Sequence, residues 1–321
     1  MINAMDLSVV VPVYNEEENL EPLIHEIRSV LDPLGKRYEL ILVDDGSTDG
    51  TYGVLSRLHK AEPRLKVLRF KRNFGQTAAV AAGLAYAQGE VIVAMDGDGQ
   101  NDPKDIPALL EKLEEGFDLV SGWRSPRRDP FWSRQLPSRM ANGLISWMTQ
   151  VKLHDYGCTL KAIRREVAKD LKLYGEMHRF IPAIAFERGA RIAEIKVHHR
   201  PRRWGRSKYG IARTFRVILD LLTVKFLLSY ATRPLHIFGL VGLISGALGF
   251  LIAVYLTIGK IFYQLDIGGR PLLLLAVLLI VIGFQFVTMG LLGEMLARTY
   301  HESQDKPIYV IKEILDEGKL A

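Results

Sequence analysis

Two carboxylates separated by one glycine, Asp96 and Asp98, stand near the end of the run EVIVAMDGDGQ, with Gln100 just beyond them. Oxygen donors at this spacing can face one side of an extended turn, where they suit Mg²⁺ or Mn²⁺ bridging a diphosphate. Turns also collect Asp and Gly for conformational reasons alone, so the spacing leaves a plain surface turn open. Two further polar clusters precede this one. Tyr14-Asn15-Glu16 follows LSVVVPV, and Asp44-Asp45-Gly46-Ser47 follows YELILV.

Each cluster closes a short apolar run whose β-branched content suits a buried strand. The runs predict strands over Leu7–Val13, Tyr38–Asp45, Arg64–Phe70 and Glu90–Gly99, with a helix from Glu17 to Leu31 and an Ala-rich helix through TAAVAAGLAYAQG. Alternation at this spacing implies right-handed crossovers and a mostly parallel α/β sheet with helices on both faces, whose ligands gather beyond the carboxyl ends of the strands. The clusters occupy those ends, together with Arg72 and Asn73 after the third strand. Ser125 to Arg139, rich in Arg and Pro, reads as a loop over the resulting crevice.

Beyond Arg233 the composition changes. Ile237–Gly259 and Leu272–Gly293 contain no Asp, Glu, Lys or Arg, and each is long enough to cross a hydrocarbon core of about 30 Å. Gly242 and Gly246 form a GxxxG pair that permits close helix contact in the first span. The net charge of +6 is concentrated ahead of these spans, since Arg200 to Arg233 is strongly basic with Asp220 its one acid. That position fits an anionic leaflet rather than nucleic acid, and Tyr209–Leu228 reads as an amphipathic interfacial helix. Positive residues flank the hairpin on one side, which assigns both termini and the soluble part to the cytoplasmic face of the inner membrane. The start of the chain turns acidic directly after its apolar stretch and does not read as a signal peptide. Cys158, the single cysteine, excludes an intramolecular disulfide, and no Cys/His spacing suggests structural zinc.

In this order on successive strands, the three polar clusters resemble those of the family 2 glycosyltransferases of GT-A (Rossmann-like) fold. Over its whole length the chain is similar to the members that act on dolichyl or undecaprenyl phosphate. The resemblance implies inverting transfer of a sugar from a UDP- or GDP-sugar to a polyprenyl phosphate, giving a lipid-linked monosaccharide for cell-envelope glycan modification. It implies that Pro12, Tyr14 and Glu16, with Asp44 or Asp45, hold the base and ribose of the donor, and that Asp96, Asp98 and Gln100 hold the metal. Pro12 can equally shape the strand end, and Asp44 can cap the next helix. RPRRWGRSKYG resembles a family segment whose cations neutralise the donor diphosphate, which assigns Arg202 and Lys208 to that task; membrane-surface charge is the alternative. Arg124 and Arg139 match arginines that grip the acceptor phosphate, for which a planar guanidinium is suited. Asp155 falls in a turn near the reaction centre, with a catalytic or a capping role open, and Cys158 stands where some relatives carry an acid.

The expected organisation is a catalytic domain over 1–200, basic amphipathic helices over 201–234, a two-helix membrane hairpin over 235–296 and a tail over 297–321. Similar transferases form homo-oligomers, so a homo-oligomer, with a tetramer as one candidate, is expected, and the tail segment Lys306–Leu315 is expected to add a strand or helix to a neighbouring subunit. A processive polysaccharide synthase would need more spans to build a channel. A non-catalytic sugar-nucleotide module would not need both carboxylates, Gln100 and Lys208 retained.

Overall fold

The computed structural model describes residues 5–125, 146, 151–173, 177–201, 234–264, 271–303 and 308–316. They form two units, one comprising the residues up to 222 with the final segment from 307, the other spanning 223–306.

Among the described residues the first unit is built on eight strands: β1 (Leu7–Val13), β2 (Tyr38–Asp44), β3 (Leu65–Phe70), β4 (Val91–Ala94), β5 (Leu119–Arg124), β6 (Lys161–Arg164), β7 (Ile192–Val197) and β8 (Ile311–Leu315). Their order across the sheet is β7-β5-β6-β4-β1-β2-β3-β8. β1 lies parallel to β2 and β4, and β2 parallel to β3. β6 runs antiparallel to both β4 and β5, and β7 runs parallel to β5.

Alternation along β1 explains the two layers of helices. Val9 and Val11 share a core with Leu23 and Ile27 of α1 (Leu20–Leu31) and Leu109 and Leu113 of α4 (Ile106–Glu114). Val10 points to the other face, where α3 (Gln76–Tyr86) approaches so closely that a Cβ on Gly83 would overlap Val10 Cγ1. The small residues Ala78, Ala79 and Ala82, all buried, permit that approach. α2 (Thr51–Ala61) joins β2 to β3, and α5 (Arg165–Asp170) and α6 (Ile181–Glu187) follow β6.

Three expectations change. The fourth strand ends at Ala94 rather than Gly99, because the chain leaves the ladder into the turn that holds Asp96 and Asp98, with Gly99 at φ 71°. The first helix begins at Leu20 rather than Glu17, since Glu16 and Glu17 reach across to Thr51 and Gly50. The tail, expected on a neighbouring subunit, pairs within its own chain: β8 runs antiparallel to β3 and closes that edge of the sheet.

The described residues of the second unit form a pair of helices, α7 (Pro234–Tyr263) and α8 (Pro271–Ser303). Phe238–Tyr263 and Pro271–Gly293 are long and apolar enough to span a membrane, and most of their residues are not buried within the protein. Large side chains such as Leu243, Phe250, Leu274 and Phe284 face outward, as lipid-facing residues do. The seam between the helices is made of small residues. A Cβ on Gly242 would stand 2.6 Å from the Gly283 carbonyl oxygen, and one on Gly249 would stand 2.7 Å from that of Ala276. The GxxxG pair thus serves a contact within the chain, with Gly246 also packed on Gly283. The expected interfacial helix, Tyr209–Leu228, lies outside the described residues.

Candidate functional site

The carboxyl ends of β1, β2 and β4 bring three of the sequence clusters together. The turn after β1 is clipped to the turn after β2: the Asn15 amide donates to Ser47 Oγ at 3.0 Å, Thr48 N–H donates to Asn15 Oδ1 at 2.8 Å, and Glu16 N–H donates to Thr51 Oγ1 at 2.9 Å. Asn15 adopts φ 53°, a left-handed conformation that Asn tolerates better than most residues. Tyr14 and Glu16, both half-buried, are held by this turn beside the end of the strand that carries Pro12.

The two adjacent aspartates differ. Asp45 accepts from Phe74 N–H at 2.7 Å and Gly75 N–H at 3.0 Å, so its carboxylate shapes the entry to α3. Burial raises its pKa, opposed by those two amides and reinforced by Asp44. Asp44 is fully buried; its Oδ1 accepts from Ser47 N–H at 2.8 Å, while Oδ2 has no hydrogen bond and faces Arg69 Nε at 3.8 Å. The loop at Arg72 and Asn73 passes so close to Gly46, at φ 69°, that a side chain there would collide with backbone.

Asp96 and Asp98 lie side by side in the turn after β4. Asp96 Oδ1 accepts from Gln76 Nε2 at 2.7 Å, and Asp98 Oδ1 accepts from the Gln100 amide at 3.1 Å. Burial and the charge of Asp98 lift the Asp96 pKa to about 6, against the opposing influence of Thr159, Arg124 and Lys161. Two carboxylates that repel in this way form a site to which a cation is attracted. Among the described residues no group of three or more His, Cys, Asp and Glu side chains converges, so a metal here would rely on this pair with amide, water or substrate oxygens.

Arg124, at the end of β5, and Asp155 form a two-pronged ion pair, with Nε to Oδ2 at 2.7 Å and Nη2 to Oδ1 at 2.9 Å. Asp155 is buried and also accepts from Gly157 N–H at 3.1 Å. Cys158 is buried, and burial pushes its thiol up to about 11, so it stays neutral.

A small cleft between β1, β4 and α3 is lined by Pro12, Gln76, Asp96, Thr159, Lys161 and His178. Sequence reasoning passed over Gln76, Thr159 and Lys161. Lys161 is 2% exposed and donates to the Cys158 carbonyl, and burial lowers its pKa against the pull of Cys158, Asp155 and Asp96. His178 Nδ1 shares a 2.7 Å hydrogen bond with Thr77 Oγ1 at this cleft. The one sequence signal is a lysine directly after the apolar Leu160 and before Ala162 and Ile163.

Arg139, Arg202 and Lys208 lie outside the described residues. Arg200, two residues before Arg202, pairs with Glu26 at 2.5 Å and Asp102 at 2.6 Å, and its amide donates to the Gln100 carbonyl at 3.0 Å. The basic segment therefore departs from the loop that carries Asp96, Asp98 and Gln100.

A mostly parallel α/β sheet with acidic clusters at its carboxyl ends is the framework of a nucleotide-sugar transferase, and residues 8–172 match the family described as Glycosyl transferase family 2. The chain belongs to that family. It is 48% identical, over 100% of its length and 96% of the relative, to dodecaprenyl-phosphate galacturonate synthase of Rhizobium johnstonii. It is 38% identical, over 96% of its length and 92% of the relative, to undecaprenyl-phosphate 4-deoxy-4-formamido-L-arabinose transferase of Shewanella sediminis. Its fold is shared with glucosyl-3-phosphoglycerate synthase of Mycobacterium tuberculosis, solved with Mn²⁺, uridine-diphosphate-glucose and phosphoglyceric acid: TM-score 0.55, 24% identity, 69% of this chain and 80% of that one.

Proposed function

We propose that this enzyme transfers a hexuronate, with galacturonate the first candidate, from a UDP-sugar to a polyprenyl phosphate at the cytoplasmic face of a membrane, inverting the anomeric centre. The observation that carries the reading is the adjacent pair Asp96 and Asp98 at the carboxyl end of β4, in a chain matched end to end by a dodecaprenyl-phosphate galacturonate synthase. Galacturonate is preferred to the formamido-arabinose sugar because the match to the former relative is the higher, 48% against 38%.

In this reading Asp44, whose Oδ2 lacks a hydrogen bond, contacts the nucleoside beside Pro12, Tyr14 and Glu16, while Asp45 keeps its structural task. Asp96, Asp98 and Gln100 would hold Mg²⁺ or Mn²⁺. Bound there, the ion would supply positive charge to the diphosphate leaving group. Arg202 and Lys208 add charge to that diphosphate, and Arg124 and Arg139 receive the acceptor phosphate. Arg124 has Asp155 as its partner in this structure, so Asp155 acts by holding the guanidinium in place.

The acceptor needs no general base. A phosphomonoester is largely ionised near neutral pH, its second pKa being about 6. Its oxygen attacks the anomeric carbon while the bond to the nucleoside diphosphate breaks and the electron pair leaves with the diphosphate. What this chain supplies is orientation and charge balance.

The test uses purified full-length protein in detergent with polyprenyl phosphate, Mn²⁺ and either UDP-galacturonate or UDP-glucose, the lipid product being weighed by mass spectrometry. A lipid-linked hexuronate is the expected product. Absence of any glycolipid across the common UDP- and GDP-sugars would refute the transferase reading, and a polymer would replace it with a processive one.

A further inference from the structure

Register places three charged residues of alternating sign in one row across neighbouring strands. Asp44 of β2 pairs with Arg69 of β3, and Arg69 pairs with Glu313 of β8. Partners directly opposite on adjacent strands project from the same face, so the row is a consequence of the ladder itself. Arg69 Nε faces Asp44 Oδ2 at 3.8 Å, and Arg69 Nη1 faces Glu313 Oε2 at 4.0 Å. The guanidinium also stacks over the Tyr52 ring at 3.7 Å, while Tyr52 donates its hydroxyl to Glu313 Oε2 at 2.7 Å. Arg69 is thereby gripped from three sides by β2, α2 and the strand that follows the second span.

We propose that β8 is a positioning element of the donor pocket: Glu313 and Tyr52 hold Arg69, and Arg69 fixes the place of the Asp44 carboxylate. This rests on the reading that Asp44 contacts the nucleoside. A free arginine loses rotamer entropy when it is fixed, so a guanidinium held in advance presents Asp44 ready for the ligand. At 3.8 Å, Arg69 balances the charge of Asp44 Oδ2 without using its hydrogen-bonding capacity, which stays available to an N–H or O–H of the donor.

A second row runs beside the first and provides the control. Lys66 of β3 pairs with Glu39 at 3.0 Å and with Asp316, just after β8, at 3.3 Å. It also ties the tail to the sheet but does not reach Asp44. If β8 merely covers the edge, damage to either row has the same effect.

The experiment measures UDP and GDP binding to the full detergent-solubilised chain by calorimetry, with donor and acceptor KM and kcat from turnover. Glu313→Ala is expected to weaken nucleoside diphosphate binding and raise donor KM about 5- to 10-fold, with kcat and polyprenyl-phosphate KM within about twofold of wild type. Glu313→Gln keeps an acceptor for Tyr52 and is expected to fall between the two. Asp316→Asn is expected to match wild type. Equal effects of Glu313→Ala and Asp316→Asn, or no change in donor KM in Glu313→Ala, would overturn the proposal while leaving the transferase reading intact. A wild-type chain that binds neither UDP nor GDP would remove the donor reading and this inference with it.

Discussion

Burial and the Asp98 charge lift the Asp96 carboxyl from 3.8 to about 6, which makes its proton an indicator of the site. Between those values the folded chain holds the proton more tightly than the unfolded one. This group therefore makes the metal-free protein less stable as pH rises from about 4 to about 6, and the contribution is fully lost above 6. Cation binding has the opposite dependence, because it requires the ionised form. The rise in Tm produced by Mn²⁺ should shrink as pH falls through about 6 and vanish in Asp98→Asn, and an increment constant from about pH 5 to 7.5 would contradict this. Asp155 is a case of a different kind, since its role is to balance a guanidinium. Asp155→Ala leaves Arg124 without its buried partner, a change that costs about 3–5 kcal/mol in comparable pairs. Denaturant titration of the solubilised chain should read that loss, and a change below about 1 kcal/mol would mean that water compensates the arginine.

The close approach of α3 to β1 is a property of elements rather than of any one contact. Gly83→Ala inserts a methyl group against Val10 Cγ1 and is expected to destabilise the unit by about 1–3 kcal/mol. Combining it with Val10→Ala should recover part of the loss, and strict additivity in a double-mutant cycle would show that the two side chains do not compete for space. β1, β2 and β3 were legible in the sequence to within one residue, because β1 is a continuous apolar run and β2 and β3 are mostly apolar runs closed by polar residues. The extent of β4 was not legible: EVIVAM is apolar through Met95, and only the fold shows that the ladder stops at Ala94. The acidic clusters were readable because they end strands. Lys161 and Arg69 were not, since a lysine or arginine in a strand usually faces solvent and only tertiary packing turns it inward. The direction in which the tail pairs was equally hidden, as its partner strand lies far away in sequence.

The whole molecule joins a soluble α/β unit to a hairpin whose outward faces are apolar. Gly283→Leu would drive a large side chain into the backbone of Gly242 and Gly246, and it is expected to lower the Tm of the detergent-solubilised chain. An unchanged Tm would mean that the seam can open without cost. Vesicle flotation should carry the wild-type chain with lipid at high salt, since about 20 apolar residues per span hold it independently of charge, and release by salt would contradict the spanning reading. The strand β8 has a consequence for synthesis. β3 leaves the ribosome about 240 residues before its partner, and at about 5–20 residues per second it waits roughly 10 to 50 s. During that interval both helices of the hairpin are made, while the hydrogen-bonding edge of β3 stands open to other chains. The nascent protein is therefore most prone to misassociation while the apolar hairpin is being made, and the final strand ends that exposure.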